Sequence, residues 1–122
     1  MQYAMLIYLD SKRWAELSLE EKNRVHTECG AWHEDIVKRG CSRGAIGLQA
    51  VTTATTVSVR DGHFFITDGP FAETKEVLGG LETVECVSLD EAMALAKSFP
   101  ALRVGSLVEV RPVVAGGTCQ DS

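Results

Sequence analysis

Three features of the 122-residue sequence predict an α+β fold. The first ten residues carry apolar side chains on both alternating faces of one strand. Two capping boxes each open an amphipathic helix. Asp61-Gly62 sits between two runs with β-like alternation. In the opening strand, Gln2 to Leu9, Met5, Ile7 and Leu9 line one face while Ala4, Leu6 and Tyr8 line the other. A strand apolar on both faces is a central strand, covered on each side.

The first helix is announced by Ser18-Leu-Glu-Glu21, with Leu17 placed as a hydrophobic staple. Its stripe is Val25, Cys29, Trp32 and Ile36, at helical spacing. Lys38 and Arg39 suit the negative end of the helix dipole, and Gly40 supplies the left-handed residue that ends it. A Gly-rich stretch from 41 to 54 follows, with a weakly signalled strand at Ile46 to Val51. Thr56 to Arg60 and His63 to Thr67 flank Asp61-Gly62, the composition of a two-residue type I′ hairpin. That loop sets the register: Arg60 faces His63, Val59 faces Phe64, and Val57 faces Ile66. The last two pairs share an apolar face, expected to be buried. A fourth strand, from about Val77 to Val87, carries Gly79-Gly80, the mark of a bulge or close backbone approach. Ser88-Leu-Asp-Glu91 opens the second helix, whose stripe is Ala92, Leu95, Ala96 and Phe99, and Pro100 stops it. The last strand spans Leu107 to about Val113, with Pro112 near its end.

The order is β-α-β, hairpin, β-α-β, a split βαβ or ferredoxin-like pattern with an inserted hairpin. It forms one domain over residues 1–114, followed by a flexible tail at 115–122. Two helices cover one sheet face only. The first strand needs cover on both, so a homodimer with sheet faces packed together into an α+β barrel is expected.

Composition narrows the function classes. A net charge of −5 and a pI near 5.1 argue against nucleic-acid binding, which needs phosphate-neutralising cations. The apolar N-terminus lacks the basic region and cleavage pattern of a leader and is too short to span a bilayer, so no membrane association and a cytoplasmic location are expected. Cys29, Cys41, Cys86 and Cys119 show no metal-ligand spacing; buried thiols and one on the tail are expected, with no metal and no cofactor.

The most specific stretch is Asp68-Gly-Pro-Phe-Ala-Glu-Thr-Lys-Glu76, with four ionisable groups in nine positions behind a strand end. Extending the hairpin register places Asp68 on the side of Phe64 and Ile66. A desolvated carboxyl there suits general acid or base work near neutral pH. The other role for Asp68 is to hold the turn, because Asp side chains bond backbone amides in Asp-Gly-Pro turns. Gly69, Pro70 and Phe71 shape the exit, and Glu73 and Lys75 form a polar lip, with Lys75 able to hold an anionic group. Glu82, beside the double glycine, is a cavity-lining candidate. His26 and His33 lie seven apart on the first helix, about 10 Å along its axis, too far to share one metal. Either could pair with Asp68, or simply flank the core stripe. His63 falls on the hairpin's exposed side and is discounted.

The nine-residue motif resembles the signature of the YCII-related proteins of the DGPF type. The similarity extends to Met5-Leu-Ile-Tyr8, Ala54-Thr-Thr-Val57, Leu78-Gly-Gly80, Leu89-Asp-Glu-Ala92 and Glu109-Val-Arg-Pro112. The resemblance implies a dimeric α+β barrel. It also implies kinship with small enzymes that isomerise or eliminate on lactone-like and chlorinated aromatic breakdown products through a His-Asp pair, and a link to sigma-factor signalling. Asp68 matches the motif aspartate, and Gly69 to Phe71 match its turn. The family histidine has no clean counterpart in His26 or His33. Leu81-Glu82-Thr83 departs from the aromatic and aliphatic residues usual after the double glycine, which implies a more polar pocket or a different bound compound. Two functions follow as expectations. One is a cofactor-independent enzyme using Asp68, with His26 or His33, on a small polar metabolite. The other is a non-catalytic ligand-binding or regulatory module associated with sigma-factor signalling.

Overall fold

The computed structural model describes residues 1–115; the tail expected beyond them lies outside the described residues. The fold is α+β. Four antiparallel strands form the main sheet: β1 (Gln2–Asp10), β2 (Ser42–Gly47), β5 (Glu76–Glu85) and β6 (Leu107–Pro112), in the order β2-β5-β1-β6. β1 is central, as its two apolar faces predict. A separate two-stranded sheet consists of β3 (Thr55–Arg60) and β4 (His63–Asp68).

Each helix begins where its capping chemistry says. The Ser18 hydroxyl accepts the Glu21 amide to open α2 (Leu19–Lys38), and the Ser88 hydroxyl accepts the Glu91 amide to open α3 (Leu89–Lys97). At the end of α2, Gly40 takes φ +75°. Its N–H bonds the Val37 carbonyl, and the Cys41 N–H bonds the Ile36 carbonyl, a Schellman closure. A five-residue helix, α1 (Ser11–Ala15), precedes α2 and was not foreseen from the sequence. The Asp10 carboxylate caps it through the Arg13 amide. That hydrogen bond, with Lys75 nearby, outweighs partial desolvation and holds the Asp10 carboxyl below its ordinary range.

The helices pack on one face of the sheet. Tyr3, Met5, Ile36, Val84, Cys86, Ala92, Leu95 and Ala96 make one buried cluster, and Val25, Phe99 and Ala101 make a second. Trp32 joins them by meeting Phe99 edge-on at 4.9 Å while its indole N–H donates to the Leu95 carbonyl and the Ser98 hydroxyl. Met5 is wholly buried. Met5→Ala is therefore expected to cost about 2–5 kcal/mol, read as a lower urea midpoint with an unchanged slope.

Two expectations shift. The weak strand forms at Ser42–Gly47, earlier than expected, because the chain enters the sheet directly from the Gly40 closure; Val51–Thr53 is instead a 3₁₀ turn. The hairpin keeps its expected register, Arg60 with His63, Val59 with Phe64, and Val57 with Ile66. Asp61 and Gly62 take φ +50° and +79°, as a type I′ turn requires. Yet its apolar face is open in the single chain: Val57, Val59, Phe64 and Ile66 are 63, 58, 76 and 72% exposed. Alternation marks a face as apolar without saying which body covers it.

Candidate functional site

The best-organised polar cluster lies between α2 and the sheet. Glu82 stands on β5 opposite Met5 of β1 and Ala45 of β2, so its side chain shares the helix-covered face with Met5. It is 1% exposed. Burying a carboxyl group is costly unless its oxygens are bonded, and both are. His33 Nδ1, reaching down from α2, lies 2.5 Å from Oε1, and the Ser42 hydroxyl donates to Oε2 at 3.1 Å. The Ser42 oxygen in turn accepts the Gly44 N–H at 3.3 Å. Gly44 is held by Thr83, whose hydroxyl donates to its carbonyl. The His33 side chain remains 40% exposed. A sealed carboxyl thus grips one edge of an imidazole whose ring still reaches solvent.

The sequence-derived candidates divide between this cluster and other places. His33 and Glu82 come together. His26 does not join them; it is exposed and packs against Trp14 of α1, ring centroids 5.2 Å apart. Asp68 ends β4 opposite Thr55, exposed, and its carboxylate makes no hydrogen bond among the described residues. The turn after it is held by backbone instead. The Gly69 N–H bonds the Ala54 carbonyl at 2.7 Å, and the Thr56 hydroxyl donates to the Gly69 carbonyl at 2.8 Å. Gly69 takes φ +109°, a conformation that suits glycine. Pro70 is half-buried, Phe71 is 89% exposed, and Glu73 is exposed. Lys75 makes a loose ion pair with Asp10 at 3.7 Å.

The end of the motif borders a feature that sequence reasoning missed. Thr74 and Glu76, with Tyr8, Leu107, Val108 and Glu109, line a surface depression of about 410 Å³. The Tyr8 hydroxyl donates to Glu109, which also meets Arg111. Tyr8 lies opposite Leu107 and Leu78 in register, on the sheet face that the helices leave uncovered. The available signal was the pairing of β1 with β6, which no local pattern specifies. Ser42 was likewise missed, because a serine after a helix stop looks like a turn residue.

Among the described residues no helix is long and apolar enough to cross a membrane, and no group of three His, Cys, Asp or Glu side chains is placed to hold a metal. Comparison with known proteins adds a family. The model of the YCII-related domain matches residues 1–115. An uncharacterized protein of Rhizobium meliloti (strain 1021) is 37% identical over 115 residues, covering 93% of this chain and 92% of the relative.

Proposed function

The chain belongs to the YCII-related domain family, and on that premise we propose that it is a small, cofactor-independent enzyme that moves a proton on a small polar metabolite. His33 is the acid/base group, and Glu82 positions it. The observation that carries this reading is the sealed Glu82 carboxyl, bonded on both oxygens, beside a half-exposed imidazole. With Glu82 as the carboxylate, the shared hydrogen sits on His33 Nδ1, and Nε2 keeps a free lone pair. A histidine so oriented abstracts and returns a proton, as isomerisation and elimination require.

The working form in this reading is a homodimer of ferredoxin-like subunits. The strand order β2-β5-β1-β6 supports the subunit. Two uncovered apolar surfaces support the dimer. One is the hairpin face of Val57, Val59, Phe64 and Ile66. The other is the sheet face carrying Ile46, which is exposed, and the half-buried Leu6 and Leu81. A lone two-stranded hairpin is marginal in water, and contiguous exposed apolar surface marks an interaction site. Each copy offers both surfaces, so two copies can cover each other. Asp68 shares the hairpin face and is carried to the edge of that contact, where it serves as the second acid/base group. Gly69, Pro70 and Phe71 shape the approach, Glu73 forms the lip, and Lys75, loosely held by Asp10, orients an anionic substrate group.

The test needs no named substrate. Proton abstraction in D₂O labels the carbon that loses its proton. We expect a panel of small keto acids, enol lactones and hydroxy acids, incubated with the protein and followed by proton NMR, to include compounds that exchange or convert. Saturable binding without exchange or conversion would instead make the chain a binding or regulatory module.

A further inference from the structure

Two thiols border one buried cluster at the end of the same helix–sheet layer. Cys41 leaves the Gly40 closure, and its carbonyl accepts the Glu85 N–H at 2.7 Å. That bond extends the β2–β5 pairing one residue past Ser42 and Val84, which makes Cys86 the diagonal neighbour of Cys41. A cross-strand spacing of about 5 Å and a rise of about 3.4 Å per residue put their Cα atoms roughly 6 Å apart. Disulfides span roughly 4.4–6.8 Å between Cα atoms. A regular ladder would turn Cys41 to the side of Glu85, away from Ser42, but Cys41 precedes β2, and its side chain packs on the helix-covered face against the cluster that holds Cys86. Cys86 is 3% exposed within the cluster of Val84, Ala92 and Leu95, and Cys41, half-buried, packs against that cluster. Cys41 also lines a surface depression of about 260 Å³ with Arg39, Glu91, Leu95 and Ser98, so a reagent in solvent can reach it. Burial above all, with Glu91 adding to it, pushes the Cys86 thiol up, which leaves Cys86 a poor first nucleophile.

We propose that Cys41 and Cys86 form a reversible dithiol–disulfide pair, with Cys41 as the entry thiol that solvent reaches and Cys86 as the resolving thiol. The oxidant is a low-molecular-weight disulfide. The Cys41 thiolate attacks one of its sulfurs, forming a mixed disulfide and releasing one thiol. The Cys86 thiol then gives up its proton and attacks the Cys41 sulfur, releasing the second thiol and closing the bond. Two protein thiols are oxidised, and one disulfide is reduced to two thiols. The proposal does not depend on the role of His33. Cys29 lies elsewhere, on α2 against the other buried cluster, where burial likewise raises its thiol.

The test is incubation of the reduced full chain with glutathione disulfide, followed by acid quench, intact mass and peptide mapping. The expected product is a chain lighter by two hydrogens and not linked to a second chain, with a Cys41–Cys86 linked peptide that dithiothreitol reverses. Cys86→Ala is expected to stop at a stable glutathione adduct on Cys41. Cys41→Ser is expected to slow modification of Cys86 by at least about tenfold. Persistent glutathione on Cys41 in the unaltered chain, no reaction at Cys41, or a link joining any other pair, Cys119 included, would overturn the proposal.

Discussion

His33→Gln is expected to lower turnover of any compound that passes the D₂O screen by about 10²–10⁴-fold, the usual worth of one positioned acid/base group. The fold should survive, because the His33 side chain is 40% exposed and glutamine can still reach Glu82. Glu82→Gln keeps the volume but favours the wrong imidazole tautomer, and a loss approaching about 10⁴-fold is expected, as when the orienting carboxylate of a catalytic triad becomes an amide. Chemical rescue separates chemistry from architecture: added imidazole should restore part of the activity of His33→Gly while leaving its thermal stability unchanged. A variant at His33 with normal turnover would remove it from the mechanism.

Ile66→Glu is expected to split the dimer. Ile66 is 72% exposed in the single chain, so the subunit should keep its far-UV circular dichroism. A carboxylate forced into a covered apolar contact costs about 3 kcal/mol or more, roughly a hundredfold in Kd. Sedimentation at micromolar concentration should show dimers for the unaltered chain and monomers for the variant. Phe64→Glu on the same face should act alike, whereas Ser58→Glu, on the opposite face, should not. An unaltered chain that sediments as a monomer throughout would refute the dimer, and the proposed role of Asp68 with it.

Much of the fold was legible because its signals are local. Ser18 with Glu21 and Ser88 with Glu91 cap helices through hydrogen bonds three residues apart. Asp61-Gly62 fixes the register of every pair in the hairpin. Val25 and Ile36, and Ala92, Leu95 and Ala96, fall on helical stripes that the structure buries. The short helix α1 was not legible, because five residues show no periodic stripe and Asp10 resembles a strand end. The site was legible only in its parts. Glu82 stood out as a carboxyl where apolar residues are usual, and His33 as a histidine flanking a stripe. Their contact joins residues 49 apart in sequence through the packing of α2 on β5, which local patterns do not encode. The motif from Asp68 to Glu76 stands out by its residue order, an Asp-Gly-Pro exit from a strand followed by Glu73, Lys75 and Glu76. In the single chain its polar groups lie at the surface, and the sealed carboxyl lies in the next strand.

The most direct test of the Glu82–His33 pairing is long-range proton–nitrogen NMR of the His33 imidazole in its neutral form, compared with Glu82→Met. If Glu82 orients His33, the unaltered chain will show a protonated, pyrrole-like Nδ1 and a bare, pyridine-like Nε2, and the variant will revert to the tautomer mixture of a free imidazole. An unaltered chain whose His33 carries its proton on Nε2, or whose spectrum does not change when Glu82 is replaced, would contradict it.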